Sequence, residues 1–373
     1  MRVGINVEQL LSPSPGGVGR YAAQLVMLLA TLPPTDDPVP FVARHRPGQV
    51  AEGLAGSGLG PEVTRLPFPR KLLYETWVRF GLPPLAWGAP ALRHLDVVHA
   101  PSVAVPGRPG APLVVTVHDA APSLFPDAFT PRGRRWHALG AAAAARRADL
   151  VIAPSAAAAE EIAGHTPVPA ARIRVVHHAV ATPPAGGRLP AGLGGVPFVL
   201  WVGSLEPRKG VATVVEAMAA LGAARRGARL VLAGYAGWLT DDLVPPRARH
   251  SLGADLVTLG RVPEADLWEL YRAATVFAFP SRHEGFGLPP LEAMSQGAPV
   301  VASDLPSTRE VLGGAAELVP AGDAGAWAAA LGALLGDDAS RQARAGAGRL
   351  QAARYTPEAF VIATRAVYRE AIG

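Results

Sequence analysis

The run Pro280-Ser281-Arg282-His283-Glu284-Gly285-Phe286-Gly287-Leu288-Pro289-Pro290-Leu291-Glu292-Ala293-Met294 sets two carboxylates around a glycine-aromatic-glycine step. Gly285 and Gly287 let backbone N–H groups approach a ligand closely. Pro289 or Pro290 suits a first helical position, so a helix N-terminus is expected behind the glycines, where an anion is favoured. That helix should end near Gly297. Glu292 then falls in its first turn and Glu284 in the loop above. Ionised carboxylates beside a bound phosphate are suited to accept hydrogen bonds from hydroxyls. Taken alone, Glu292 also reads as a solvated carboxylate favoured by the helix dipole.

A second loop, Gly203-Ser204-Leu205-Glu206-Pro207-Arg208-Lys209-Gly210, lies between an apolar run and a helical stretch at 211–221. Arg208 and Lys209 are adjacent fixed cations, a planar fork and a compact charge, suited to a diphosphate. The plain alternative is an exposed basic turn. The chain has 35 basic residues, yet only Lys71 and Lys209 are lysines. A lysine in so arginine-rich a composition is the better functional candidate. A third loop, Gly16-Gly17-Val18-Gly19-Arg20-Tyr21, precedes a helix expected over 18–30. Its distance from the first strand and the missing G-x-G-x-x-G spacing weaken a dinucleotide, hydride-transfer reading. The fourth, Val115-Thr116-Val117-His118-Asp119, ends a strand in a His-Asp pair, either structural or part of an active site.

These loops need a frame that holds them at strand ends. Apolar runs are expected as strands at Val3–Val7, Phe41–Arg44, Val97–Ala100, Leu113–His118, Leu150–Ala153 and Ile173–His177. Further runs are Phe198–Gly203, Leu230–Gly234, Val257–Leu259, Val276–Phe279 and Pro299–Ala302. Continuous apolar strands separated by helices imply parallel sheets covered on both faces. A Pro/Gly-rich stretch at 181–196 reads as a linker. The expectation is an α/β chain of two doubly wound, Rossmann-like domains, 1–185 and 196–356, facing across a cleft. A last helix near 357–373 should pack back on the first. Ligands in such sheets sit outside the carboxyl ends of the strands.

Composition narrows the function classes. The 373 residues include no cysteine, which excludes disulfides and thiolate metal sites. No signal-peptide pattern opens the chain and no run approaches the roughly 20 apolar residues of a membrane span, so a cytoplasmic protein is expected. Residues 1–185 carry 17 basic against 12 acidic residues, and 186–373 carry 18 against 18. The excess positive charge of the first half suits an anionic partner or a membrane surface, or is solvated surface charge without one. Arg132, Arg134, Arg135, Trp136 and His137, with Arg70, Lys71 and Trp77, would form a basic, aromatic surface for a lipid pyrophosphate at an anionic membrane. Solvated helix faces are the alternative. No nucleic-acid motif accompanies the charge. Asp241-Asp242 and Asp337-Asp338 read as surface turns rather than metal ligands.

Together the four loops resemble the family 4 retaining glycosyltransferases of GT-B fold, along essentially the whole chain and in order. Ala153-Pro154-Ser155, Leu259-Gly260-Arg261-Val262 and Pro299-Val300-Val301-Ala302-Ser303-Asp304 extend the resemblance. The run Val114 to Pro126 is similar to GDP-mannose-using mannosyltransferases of surface polysaccharide biosynthesis. The resemblance implies that Arg208 and Lys209 bind the donor diphosphate and that Glu292 holds the ribose hydroxyls. It sets Glu284 beside the donor sugar, with backbone contacts from Gly285, Phe286, Gly287 and Leu288. His118 would reach the donor sugar near the reacting carbon. Gly17 would pack against diphosphate or acceptor, Gly203 and Ser204 would line the donor loop, and the base would rest near Arg261 and Val262. Two departures are Ser204, where many relatives carry arginine, and Ala156 to Ala159, where relatives often carry polar or basic residues.

The implied reaction moves a hexose, mannose from GDP-mannose, to a saccharide or lipid-linked acceptor with retained anomeric configuration. No nucleophile other than Glu284 is evident, so front-face attack is expected, with the leaving phosphate taking the acceptor's proton. The protein then supplies positioning and charge stabilisation, and no metal or other cofactor is expected. Contact with a membrane would run through the first domain, at the inner face. Two alternatives are a sugar-nucleotide epimerase and a non-catalytic nucleotide-sugar binding protein.

Overall fold

The computed structural model describes residues 1–12, 15–60, 62–235 and 244–373, so Asp241-Asp242 lie outside the described residues. The chain divides into two compact units, Met1–Ala179 with Pro357–Gly373, and Val180–Thr356.

The first unit is built on a parallel sheet of seven strands. They are β1 (Arg2–Asn6), β2 (Asp37–Arg44), β3 (Thr64–Pro69), β4 (Val97–Ala100), β5 (Leu113–Thr116), β6 (Leu150–Ala153) and β7 (Ile173–Val175). Their order is β3-β2-β1-β4-β5-β6-β7. Central strands such as β4, β5 and β6 are buried throughout, because helices cover both faces and solvent reaches neither. The expected strands overlap the observed ones, but β3 was not among them. It carries Pro67 and Pro69 and lies at the sheet edge, where a missing N–H leaves no ladder bond broken.

Helix Pro357–Ile372 belongs to this unit and buries Phe360, Val361, Val367 and Tyr368 in the core shared with β1 and helix Gly16–Thr31. The buried Arg365 fixes it, donating from Nε to Asp36 Oδ2 at 2.6 Å and from Nη2 to the Leu32 carbonyl at 2.8 Å.

The second unit has six parallel strands: β8 (Phe198–Val202), β9 (Arg229–Ala233), β10 (Leu256–Gly260), β11 (Val276–Phe279), β12 (Val300–Ser303) and β13 (Glu317–Val319). Their order is β10-β9-β8-β11-β12-β13. β13, also unanticipated, is three residues at the opposite edge. Residues 181–196, expected as a linker, run along this unit instead. The Val180 N–H donates to the Tyr355 carbonyl at 2.9 Å and the Arg188 N–H to Asp266 Oδ1 at 2.8 Å. Leu193 is buried in the unit's core, which gives the Pro/Gly-rich stretch an apolar anchor.

Each sheet reverses its order once, between β1 and β4 in the first unit and between β8 and β11 in the second. The crevice outside the strand ends at such a reversal is where open α/β sheets hold ligands.

Candidate active site

The loops leaving β8 and β11 carry the strongest candidates, and the strand order makes them neighbours. The Arg282 N–H donates to the Arg208 carbonyl at 2.8 Å, tying one loop to the other. The β8 loop ends in a single helical turn, Pro207–Lys209, then Gly210 at φ +64, then helix Val211–Leu221. A Cβ on Gly210 would stand 1.9 Å from the Pro280 carbonyl oxygen of the β11 loop. Gly210→Ala therefore combines left-handed strain with a backbone clash. It is expected to destabilise the second unit by about 2–4 kcal/mol in denaturant unfolding, against under 1 kcal/mol for Gly314→Ala, where φ is not positive and the Cβ meets nothing within 4 Å.

Four charged side chains converge where the loops meet. Lys209 Nζ donates to Glu284 Oε1 at 2.6 Å. Arg208 donates from Nη2 to Glu206 Oε1 at 2.7 Å and from Nη1 to the His283 carbonyl at 2.9 Å, with Glu284 Oε2 at 3.5 Å. Burial alone would push the Glu284 carboxyl up. Lys209 and Arg208 outweigh it and, with hydrogen bonds from Lys209 and Ser281, hold it down at about 2. Burial pushes the Glu206 carboxyl up, against the pull of Arg208 and Lys209. Its Oε2 has no hydrogen-bond partner among the described residues. Two cations and two carboxylates thus form a nearly neutral cluster at a strand-end crevice. The sequence marks Arg208 and Lys209 for the diphosphate and Glu284 for the sugar, but neither their pairing with one another nor a part for Glu206.

Helix Leu288–Ser295 begins one residue before the expected prolines, because Gly287, at φ +101, caps it. Glu292 therefore sits beyond the first turn and is buried, not solvated, with Oε2 accepting from the Tyr271 hydroxyl at 3.0 Å. Phe286 is buried edge-on against Tyr355, so only its backbone is offered to a ligand. Gly285 and Gly287 are buried beside it and Leu288 is half-buried. The Ser307 hydroxyl holds the Glu284 carbonyl at 2.6 Å.

The remaining second-unit candidates lie toward β9 and β10. Gly203 packs under Gly234, whose own added Cβ would meet the Gly203 carbonyl oxygen at 1.7 Å. Ser204 hydrogen-bonds the Tyr235 phenol, which also feels Glu206 and the exposed Arg261; Val262 is half-buried.

His118 and Gly17 belong to the first unit. His118 follows β5, and its Nε2 lies 2.9 Å from the Pro101 carbonyl. A carbonyl only accepts, so Nε2 carries the proton and Nδ1 is the acceptor in the neutral ring. Burial lowers its pKa, against the raising effects of that carbonyl and Asp119, so the ring is neutral at ordinary pH. Tyr21 packs edge-on at 5.1 Å and hydrogen-bonds Thr116, which bonds His99 in turn. Gly17 is exposed in the first turn of helix Gly16–Thr31, which starts two residues earlier than expected.

The basic, aromatic surface expected in this unit is corrected in part. Arg132, Arg134, Arg135 and Lys71 are exposed, but Trp77 is buried, its Nε1 donating to the Pro83 carbonyl at 2.9 Å. Trp136 is half-buried against Tyr74, and His137 is half-buried too. Their helix faces turn inward. Asp337 caps helix Asp338–Ala352 rather than forming a free turn.

Paired doubly wound units with these strand-end loops define a glycosyltransferase of the GT-B class. Residues 196–337 match the model of "Glycosyl transferases group 1" and residues 15–182 that of "Glycosyltransferase Family 4". The chain belongs to glycosyltransferase family 4, a family of retaining hexosyltransferases. It is 38% identical to the O-antigen chain mannosyltransferase B of Escherichia coli over 173 residues, 46% of this chain and 45% of that enzyme. It is 32% identical to a D-inositol 3-phosphate glycosyltransferase of Thermobispora bispora over 243 residues, 60% of this chain and 56% of that one. The chain thus spans about half the length of these curated relatives. Anabaena HepE, in complex with UDP and glucose, superposes with a TM-score of 0.72 at 18% identity, covering 99% of this chain and all of that one. That likeness concerns the fold. Among the described residues no helix is long and apolar enough to cross a membrane.

Proposed function

We propose that the chain transfers a hexose from a nucleotide sugar to a saccharide or lipid-linked acceptor with retained configuration, with mannose from GDP-mannose as the donor. The convergence of Arg208, Lys209 and Glu284 at the β8–β11 reversal carries this reading. Arg208 and Lys209 would bind the diphosphate, helped by the N-terminus of helix Leu288–Ser295. Gly285, Phe286, Gly287 and Leu288 would offer backbone groups. Glu292 would take the ribose hydroxyls, and the base would rest near Arg261 and Val262. Glu284 would accept sugar hydroxyls, as would Nδ1 of a neutral His118. Gly17, Gly203 and Ser204 would line the donor.

In the reaction the acceptor hydroxyl attacks the anomeric carbon on the face the diphosphate leaves. The new C–O bond forms as the old one breaks, and a leaving phosphate oxygen takes the hydroxyl proton. The two cations stabilise the charge that grows on the diphosphate. Mannosyl transfer draws support from the 38% identity to an O-antigen mannosyltransferase. The same reading puts the enzyme in the cytoplasm, at the inner face of the membrane when the acceptor is lipid-linked.

The thermal unfolding midpoint is expected to rise with GDP-mannose and less with UDP-glucose or ADP-glucose. A larger shift with either of the latter moves the donor assignment. No shift with any of them removes the donor site.

A further inference from the structure

The sequence places four of the chain's five net positive charges in one short segment. Residues 64–93 hold Arg65, Arg70, Lys71, Arg79 and Arg93 against a single acid, Glu75, while the whole chain carries +5. Helix Arg70–Phe80 forms the middle of this segment. Its inner face is buried through Leu73, Tyr74, Trp77 and Val78. Its outer face is apolar as well: Leu72 is 56% exposed and Phe80 71%, two helical turns apart on one stripe. Gly81, at φ +66, ends the helix and turns the chain so that Leu82 and Trp87 continue the same apolar surface, 41% and 61% exposed. Phe68 supports Trp87 from below, ring centres 5.3 Å apart. These side chains line an open groove of about 430 Å³.

Large apolar side chains grouped this way on a surface mark a contact. The cations around the groove say with what. Lys71 and Arg79 lie on the stripe adjoining Leu72 and Phe80, and only Arg79 has a helical carboxylate partner, Glu75 at 2.9 Å. Arg70, half-exposed at the helix start, already faces the buried Glu8, its Nε 3.4 Å from Oε1. A second copy placed symmetrically would set one positive patch on another. Phosphates of a nucleic acid would meet the cations but leave the apolar groove in water. An anionic lipid surface satisfies both, with acyl chains on the groove, Trp87 at the headgroup level, and phosphates on Arg70, Lys71 and Arg79.

We propose that the groove of helix Arg70–Phe80 and the Leu82–Trp87 loop is a docking surface for an anionic bilayer. It builds on the lipid-linked acceptor of the proposed function, since docking there would bring the enzyme to such an acceptor.

The test is flotation of the full chain with vesicles of phosphatidylcholine alone or with phosphatidylglycerol, at low and high salt. The protein is expected to float with phosphatidylglycerol vesicles at low salt, with at least about tenfold less bound to phosphatidylcholine. Phe80→Ser with Trp87→Ser should lower the bound fraction about tenfold, as should Lys71→Glu with Arg79→Glu, without changing the circular dichroism spectrum. The thermal shift with GDP-mannose reads donor binding without vesicles, so a lost donor site and a lost membrane contact are told apart. Equal flotation of the wild type and the Phe80/Trp87 variant overturns the proposal. So does equal binding to both vesicles, or a vesicle-free dimer that the Phe80/Trp87 variant dissolves.

Discussion

Replacing Lys209 with alanine is expected to slow sugar transfer at least about a hundredfold while the protein stays folded. That factor corresponds to about 2.7 kcal/mol of transition-state stabilisation, within the range for removing one preorganised group aimed at developing charge. The charge in question is that of the departing diphosphate. The loop backbone does not depend on the lysine side chain: Trp201 Nε1 holds the Lys209 carbonyl at 3.3 Å, and its N–H donates to the Glu206 carbonyl at 3.0 Å. Arg208 remains on Glu206 and within 3.5 Å of Glu284, so the carboxylates keep a counterion. The loss should therefore fall on kcat more than on the melting temperature. Turnover within a few-fold of wild type would remove Lys209 from the chemistry.

The frame of this site was legible because its strands are apolar on both faces. β4, β6 and β11 stand where their Val, Ile, Leu and Phe runs put them. The pattern failed at the edges, where the physics differs. β3 needs no full ladder and so tolerates Pro67 and Pro69, which read as breakers, and β13 is too short to show a period. Helix starts slipped by one or two residues, at Gly16 and Leu288, because a glycine conformation rather than a side chain sets each one.

Within the site, residues on one loop were legible as words; what joins two loops was not. Arg208, Lys209 and Glu284 stand out by type and spacing. Glu206 lies two positions before Arg208 on the same loop, and only the folded turn marks it as the arginine's counterion. Tyr271 holds Glu292 from a different helix, and Ser307 holds the Glu284 carbonyl from beyond β12. Tyr271 and Ser307 carry no local signal, since the partner of each lies more than 20 positions away. The surface misreading has the same root. Trp77 and Phe80 share one helix, and only packing tells that Trp77 is its inner face and Phe80 its outer one.

The neutral cluster makes a sharper prediction than either cation alone. In Glu284→Gln the amide keeps the shape and can still accept from Lys209, but the cluster gains one positive charge. Transfer should fall about a hundredfold, because hydroxyls of the donor sugar lose a charged acceptor. Binding of free GDP should become about tenfold tighter, since the diphosphate no longer competes with a carboxylate 2.6 Å from Lys209. The two effects have opposite signs, which general damage to the site would not produce. Acid sensitivity follows from the same carboxyl. Its folded value, about 2, lies below the ordinary 4.5, so its contribution to stability is present above 4.5 and is lost as pH falls toward 2. The variant should lack that part of the acid slope. Calorimetric titration with GDP and unfolding series across this pH window read both effects. Weaker GDP binding in the variant would mean that Glu284 supports the diphosphate rather than opposing it, and the charge argument would fail.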